Sequence, residues 1–157
     1  YGYLAGPYVR DKDAVIGSML ICEMAAYFKS LGKTLTDVLA ELYETYGYYY
    51  DKSLSYTLKG LEGGRRIAAI MEEARSLDMK SVIPETVETL DFEKGIGGLP
   101  RGNVLKYRLA GGGWFAIRPS GTEPKIKFYY SLRGKNEEEA LRLFGDYRSH
   151  LEKQFGL

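Results

Sequence analysis

The chain has 157 residues, of which 45% are hydrophobic and 27% are charged, and its formal net charge is +1. This composition allows a folded core and argues against an intrinsically disordered chain, and no apolar run reaches the length of a membrane span. A charge close to zero argues against a broad electrostatic surface for nucleic acid or anionic membrane, so any positive potential must be local. Cys22 is the single cysteine, which excludes an internal disulfide and fits a reducing compartment such as the cytoplasm.

The first part of the chain predicts two amphipathic helices. Asp13 is an N-cap candidate for the first helix, and Gly32 supplies its stop. Thr34 and Asp37 form a capping-box pattern at the start of the second. The apolar positions are Ile16, Leu20, Met24, Tyr27, Phe28 and Leu31, then Leu35, Val38, Leu39, Leu42, Tyr43 and Tyr46. We interpret residues 1–46 as the helical end of a preceding α/β domain.

From about Gly47 the pattern changes to strands separated by two helices. The predicted elements are a strand across residues 48–58, a helix around 61–77, strands near 86–92 and 103–109, a glycine turn at 111–113, strands on either side of residues 118–124, and a final helix opened by Asn136. Residues 47–157 therefore predict an α+β domain with a mostly antiparallel sheet of four or more strands and helices packed on it.

The most informative segment is the run Arg-Pro-Ser-Gly-Thr-Glu-Pro-Lys-Ile-Lys at residues 118–127, called here the anion loop. Arg118 offers a planar fork of donors, and Ser120 and Thr122 offer hydroxyl groups. Lys125 and Lys127 add positive charge, and the period-two pattern places both on one face of the following strand. Together these groups predict a clamp for a phosphate, whereas the alternative is a hairpin turn with solvated charges.

The backbone of the anion loop supports the same interpretation. Arg118 and Glu123 each precede a proline and are biased toward extended conformations, while Gly121 between them is free to take a positive φ. A turn of this kind is expected to aim its amides inward and to form a concave anion site.

The anion loop resembles a known motif. Residues 118–124 are similar to the phosphate-binding loop Arg-x-Ser-Gly-Thr-x-Pro in the C-terminal domain of the alpha-D-phosphohexomutases, the phosphoglucomutase and phosphomannomutase group. The segment from Tyr1 to Asp13 resembles the stretch directly after the sugar-selecting Glu-Glu-Ser motif of that family. The two matches occur in the family's order, and the resemblance covers essentially the whole chain.

The resemblance implies roles for individual residues. Arg118, Ser120, Gly121 and Thr122 would bind the phosphate of the sugar substrate that is not reacting. The basic residue on the following strand would be Lys127 as first choice and Lys125 as second.

The resemblance also places Arg10 and Lys12 beside the active site, with Lys12 as a candidate acid/base or phosphate-contacting group. A lysine serves as an acid or base only when burial or nearby cations lower its pKa. The alternative is that Arg10 and Lys12 face water and pair with Asp11 and Asp13.

The family's phosphoryl-carrying serine motif and its Asp-x-Asp-x-Asp magnesium loop are both missing from this sequence. We therefore expect a C-terminal piece of a longer enzyme, an intramolecular phosphotransferase, whose Mg²⁺ and phosphoserine lie in other domains. The piece itself is expected to hold no metal or cofactor and to be inactive alone. Its expected partners are those N-terminal domains and the phosphosugar, with no nucleic acid and no membrane.

The activity implied is interconversion of hexose 1-phosphate and hexose 6-phosphate through a hexose bisphosphate. The wording of residues 1–13 favours phosphoglucomutase, and phosphomannomutase and phosphopentomutase remain alternatives. A further alternative is a non-catalytic module that binds phosphorylated ligands or nucleic acid. Gly63 and Gly64 before Arg65 and Arg66 superficially suggest a second anion site, but the first turn of a helix with exposed arginines is the better interpretation.

Overall fold

The structure is a computed structural model that describes residues 3–157. The chain forms two compact units, one ending at Tyr46 and one running from Gly47 to Leu157. Tyr1 and Gly2, which begin the N-terminal family match, lie outside the described residues.

The first unit contains helix α1 at Ala14–Ser30 and helix α2 at Leu35–Tyr46. The Asp13 carboxylate accepts two amide hydrogen bonds of 3.1 Å from the first turn of α1. The Asp37 carboxylate accepts from the Thr34 amide at 2.7 Å, and the Thr34 hydroxyl accepts from the Asp37 amide at 3.2 Å. Both predicted N-terminal caps are therefore confirmed.

Many large apolar side chains of this first unit are exposed. They include Val15, Met19, Leu20, Ile21, Met24, Tyr27 and Leu31 of α1 and Leu39, Leu42 and Tyr46 of α2. Among the described residues no single helix is long and apolar enough to cross a membrane; α1 and α2 reach that length only when counted together, and the chain bends by 88° between them. The apolar stripes that the sequence predicts are thus present, but they do not close into a core of their own.

The second unit is a five-stranded antiparallel sheet with helices, which confirms the predicted α+β class. Its elements are β1 (Tyr48–Thr57), α3 (Gly60–Ser76), β2 (Thr86–Asp91), β3 (Leu105–Leu109), β4 (Trp114–Pro119), β5 (Lys125–Gly134) and α4 (Glu137–Phe155), with short 3₁₀ helices at Met79–Ser81 and Phe92–Lys94. The strand order is β1-β5-β4-β3-β2. The two ends of the anion loop therefore lie on neighbouring strands in the middle of the sheet.

Helices α3 and α4 cover one face of this sheet. The buried Tyr107 hydroxyl donates to the carbonyl of Ala74 in α3 at 3.0 Å, and the rings of Phe128 and Phe155 of α4 lie 6.1 Å apart. The alternate residues of the strands point to the opposite face, which no helix of this unit covers. We call it the open face; it carries Ser53, Ser55, Thr57, Lys106, Arg108, Trp114, Ala116, Arg118, Lys125, Lys127 and Tyr129.

The hydroxyl of Tyr56 joins the edge strand β1 to α4. It donates to Oε1 of Glu152 at 2.6 Å. Burial, followed by this hydrogen bond, raises the pKa of Tyr56 to about 12. In an unfolded chain the pKa of tyrosine is about 10, so the folded state favours the neutral phenol.

We expect the chain to lose part of its stability between about pH 10 and pH 12, because the unfolded state ionises Tyr56 first and is stabilised by it. Below about pH 10 the phenol is neutral in both states, and its contribution is fully present. In Tyr56→Phe the free energy of unfolding should fall less steeply with pH, because unfolding of the variant releases about one proton fewer in this range. Urea unfolding at several pH values across this range measures the two slopes. Equal slopes for the two proteins would contradict the assignment.

Candidate anion-binding site

The anion loop comprises the end of β4, a short connection at residues 120–124 and the start of β5, and backbone hydrogen bonds hold the connection between the strands. The Ser120 amide donates to the carbonyl of Lys125 at 2.8 Å, and the Lys125 amide donates to the carbonyl of Glu123 at 2.7 Å. The amide of Leu58, just after β1, donates to the carbonyl of Pro124 at 2.9 Å. The connection is therefore hydrogen-bonded to the start of β5 and to the residue that follows β1.

The positive φ that the sequence allowed at Gly121 is not observed. The turn closes through the bond from Ser120 to Lys125, so the chain does not need to reverse at the glycine. That bond also uses the Ser120 amide, which leaves the Ser120 hydroxyl as the donor of that residue. Among the described residues, the amides of Gly121 and Thr122 have no partner and are available for an anion.

Arg118 and Lys127 lie directly opposite each other on β4 and β5. Both point to the open face, and like charges in this position destabilise a sheet. Within the part of the chain that the structure describes, the Arg118 side chain forms no hydrogen bond or ion pair. A bound anion between the two cations would remove the repulsion, which makes the pair a candidate site for an anionic ligand.

Lys125 is differently placed from Lys127, although both are on the open face. The Lys125 ammonium binds Oε1 of Glu123 at 2.8 Å. This hydrogen bond, more than the charge of Lys127, holds the pKa of the Glu123 carboxyl below its usual range. Because Glu123 already neutralises Lys125, the geometry favours Lys127 as the basic residue of the clamp, which was the first choice from the sequence.

Ser55 is a residue of this site that the sequence analysis missed. In the pairing of β1 with β5, Ser55 lies opposite Lys127 and Thr57 lies opposite Lys125. Ser55, Lys127 and Arg118 therefore form one row across three strands of the open face. The alternating pattern indicated which face Ser55 occupies, but not that β1 pairs with a strand so distant in sequence.

Arg10 and Lys12 belong to the first unit. The Lys12 ammonium binds Oδ1 of Asp11 at 2.8 Å, and the Lys12 side chain is 66% exposed. The hydrogen bonds from Lys12 lower the pKa of the Asp11 carboxyl. The structure thus shows the pairing with Asp11 that the sequence offered as the alternative to a catalytic role.

The described part of the chain contains no candidate metal site. Nowhere among residues 3–157 do three His, Cys, Asp or Glu side chains come together in a way that could hold a metal ion. The donors of the anion loop are cations, hydroxyls and amides, and this set suits an anion rather than a metal.

Fold and loop together define an α+β domain that presents a cation-rich hairpin between two neighbouring strands of an antiparallel sheet. The sequence profile described as "Phosphoglucomutase/phosphomannomutase, C-terminal domain" matches residues 67–146. The chain belongs to this family.

Individual relatives agree with this assignment. The chain is 42% identical over 151 residues to a phosphoglucomutase of Staphylococcus aureus (strain bovine RF122 / ET3-1), covering 88% of this chain and 27% of that protein. It is 40% identical over 164 residues to a phosphoglucomutase of Staphylococcus haemolyticus, covering 93% of this chain and 30% of that protein. The chain therefore spans less than a third of the length of these relatives.

A solved structure shares the fold. The open form of parafusin, a phosphoglucomutase from Paramecium, superimposes with a TM-score of 0.66 at 12% identity, covering 94% of this chain and 28% of that one. At this identity the likeness concerns the fold alone.

Proposed function

We propose that this chain supplies the phosphate-gripping part of a phosphohexomutase, an enzyme that interconverts hexose 1-phosphate and hexose 6-phosphate. The observation that carries the proposal is the pair of opposed cations, Arg118 and Lys127, beside a loop whose hydroxyls and free amides face no other partner in the described residues. The names of the staphylococcal relatives favour glucose phosphate over mannose or pentose phosphate as substrate.

The proposed role is to hold the phosphate that is not reacting while the other end of the sugar exchanges its phosphoryl group. Remote binding of this kind positions the reacting end and can be used to lower the barrier. The sugar bisphosphate must turn over between the two half-reactions, and a clamp of side chains and amides can accept either phosphate. Arg118 would bind two oxygens at once, while Ser120 and Thr122 would donate hydroxyls.

The remaining chemistry is assigned to other domains of a longer protein. We expect the phosphoserine and Mg²⁺ to reside there, so the 157-residue chain alone should show no mutase turnover. The exposed apolar faces of α1 and α2 support the proposal that residues 1–46 complete a preceding α/β domain, and Arg10 and Lys12 would reach the active site from it. The lone Cys22 fits a cytoplasmic enzyme.

Titration of the ¹⁵N-labelled chain with inorganic phosphate tests the proposed clamp. Amide shifts should saturate at millimolar concentration, because only part of the site is present, and they should centre on residues 118–127. Shifts that do not saturate, or that centre elsewhere in the domain, would overturn the proposal.

Ser55→Ala should weaken phosphate binding by about tenfold or more, since one hydrogen bond to a charged group contributes about 1.5–3 kcal/mol. Ser53→Ala is the matched control, because Ser53 lies on the same strand and face but opposite Tyr129 rather than Lys127. Both variants remove a hydroxyl from an exposed strand position, so their stabilities should be similar. Equal affinities for the two variants would remove Ser55 from the site.

A further inference from the structure

A cavity of about 400 Å³ lies at the end of the sheet away from the anion loop. It is bounded by the turn around Gly111 and Gly113, the last residues of β5, and the first half of α4. β5 runs from Lys125 in the anion loop to Gly134 at the cavity, and at about 3.3 Å per residue this separates the two places by about 30 Å. A small ligand cannot reach both, so the cavity is a separate place on the domain.

The floor of the cavity is apolar. It is formed by the side chains of Leu109, Leu132 and Leu143, with the ring of Tyr147 beside them. Tyr147 is 5% exposed, and burial, followed by the charge of Glu85, raises the pKa of its hydroxyl. The hydroxyl therefore stays protonated and interacts with the Glu85 carboxylate at the wall.

The polar groups that line the cavity carry both signs of charge: Arg133 and Lys135 are cationic, and Glu85 and Glu139 are anionic. Arg133 and Lys135 both line it, and among the residues that the structure describes neither side chain forms an ion pair. The two carboxylates of the lining are already engaged: Glu139 accepts the amide of Lys135 at 2.6 Å, and Glu85 interacts with Tyr147. Both of these donors are neutral groups, so the two carboxylates keep their negative charge, while the two cations have no carboxylate partner among the described residues.

The Arg133 side chain is exposed and lies against Gly47 and Gly112, so that a side-chain carbon added to Gly47 would overlap it. A guanidinium beside an apolar hollow can bind a carboxylate with two parallel hydrogen bonds. Cavities of about 300–1,000 Å³ with an apolar lining and a few fixed polar groups are the usual form of small-molecule sites.

We propose that this cavity binds a small organic acid, with its ring or branched apolar body against the leucine floor and its carboxylate at Arg133 and Lys135. The cavity site stands apart from the phosphate clamp and does not depend on the mutase assignment.

Benzoate is a suitable probe, with benzyl alcohol as its neutral counterpart. Titration of the ¹⁵N,¹³C-methyl-labelled chain with benzoate should shift the amides of Gly111 and Gly113 and the methyl groups of Leu109 and Leu143, and it should saturate. Benzyl alcohol should bind at least about tenfold more weakly, because it lacks the charge that Arg133 and Lys135 recognise. Absence of saturable shifts at the cavity, or equal binding of the two probes, would overturn the proposal.

Arg133→Gln should weaken benzoate binding by about tenfold, while the matched control Arg65→Gln should leave it unchanged, because Arg65 is exposed at the start of α3 and outside the cavity. Leu143→Trp, which fills the hollow, should abolish benzoate shifts and leave phosphate shifts at residues 118–127 intact. Benzoate shifts that persist in Leu143→Trp would show that the probe does not occupy the hollow, and shifts that vanish in Arg118→Gln would assign it to the anion loop; either result would overturn the proposal.

Discussion

Replacing Arg118 with glutamine is expected to weaken phosphate binding at the anion loop by about 10- to 100-fold. Each hydrogen bond to a charged group contributes about 1.5–3 kcal/mol, and a factor of ten corresponds to about 1.4 kcal/mol. Arg118 is exposed and opposite Lys127, so removing its charge also removes a like-charge repulsion and should not harm the fold. Isothermal titration with inorganic phosphate, or the amide shifts of residues 118–127, measures the loss.

Two further variants make this measurement specific. Arg108→Gln removes a cation from the same open face, but Arg108 lies on β3 and is already paired with Glu88 at 3.1 Å. The Arg108→Gln variant should keep the phosphate affinity of the parent chain within about twofold, since the exposed ion pair with Glu88 contributes only about 0–1 kcal/mol. Arg118→Lys should restore only part of the binding, because a point charge lacks the planar fork. Equal losses in Arg118→Gln and Arg108→Gln would show a diffuse electrostatic effect instead of a clamp.

Gly63→Ala is expected to destabilise the domain by about 3 kcal/mol. Gly63 is buried in the first turn of α3, and a side-chain carbon there would overlap the backbone carbonyl of Leu58. A backbone group cannot move aside like a flexible side chain, so the helix would have to shift, and such overpacking costs about 1–3 kcal/mol or more. The free energy of unfolding from urea titration measures the effect.

Gly64→Ala supplies the control within the same helical turn. Nothing lies within 4 Å of a side-chain carbon built on Gly64, and alanine is favoured over glycine in a helix by about 0.5–1 kcal/mol. This variant should therefore be more stable than the parent chain. If Gly63→Ala were also neutral or stabilising, the close approach of α3 to Leu58 would be wrong.

Gly63→Ala should also affect the anion loop. The Leu58 amide donates to the carbonyl of Pro124, so a shift of Leu58 moves the loop with it. Phosphate affinity should fall in Gly63→Ala even under conditions where the domain remains folded.

Gly63 therefore serves close packing, in agreement with the interpretation of the Gly-Gly-Arg-Arg run as a helix turn. The two arginines of this run already have partners: Arg65 pairs with Glu62 in the same helix, and Arg66 donates to the carbonyl of Phe155 at the end of α4.

Local patterns in the sequence were sufficient to identify the helices, most strands and the anion loop. Caps such as Asp13 and Asn136 are confirmed because a capping carboxylate or amide acts on amides only two or three residues away. The alternation through β5 predicts the open face for Lys125 and Lys127 because successive side chains of a strand point to opposite sides.

The pairing of distant segments, by contrast, came only from the folded chain. Ser55 lies next to Lys127 because β1, at one end of the domain sequence, pairs with β5 near the other, and no local pattern specifies that register. The cavity between β5 and α4 likewise depends on which segments meet. Residue types and their spacing indicated a candidate anion clamp. Which residues make up that clamp, and how far it lies from the cavity, are set by long-range packing, which is a property of the whole fold.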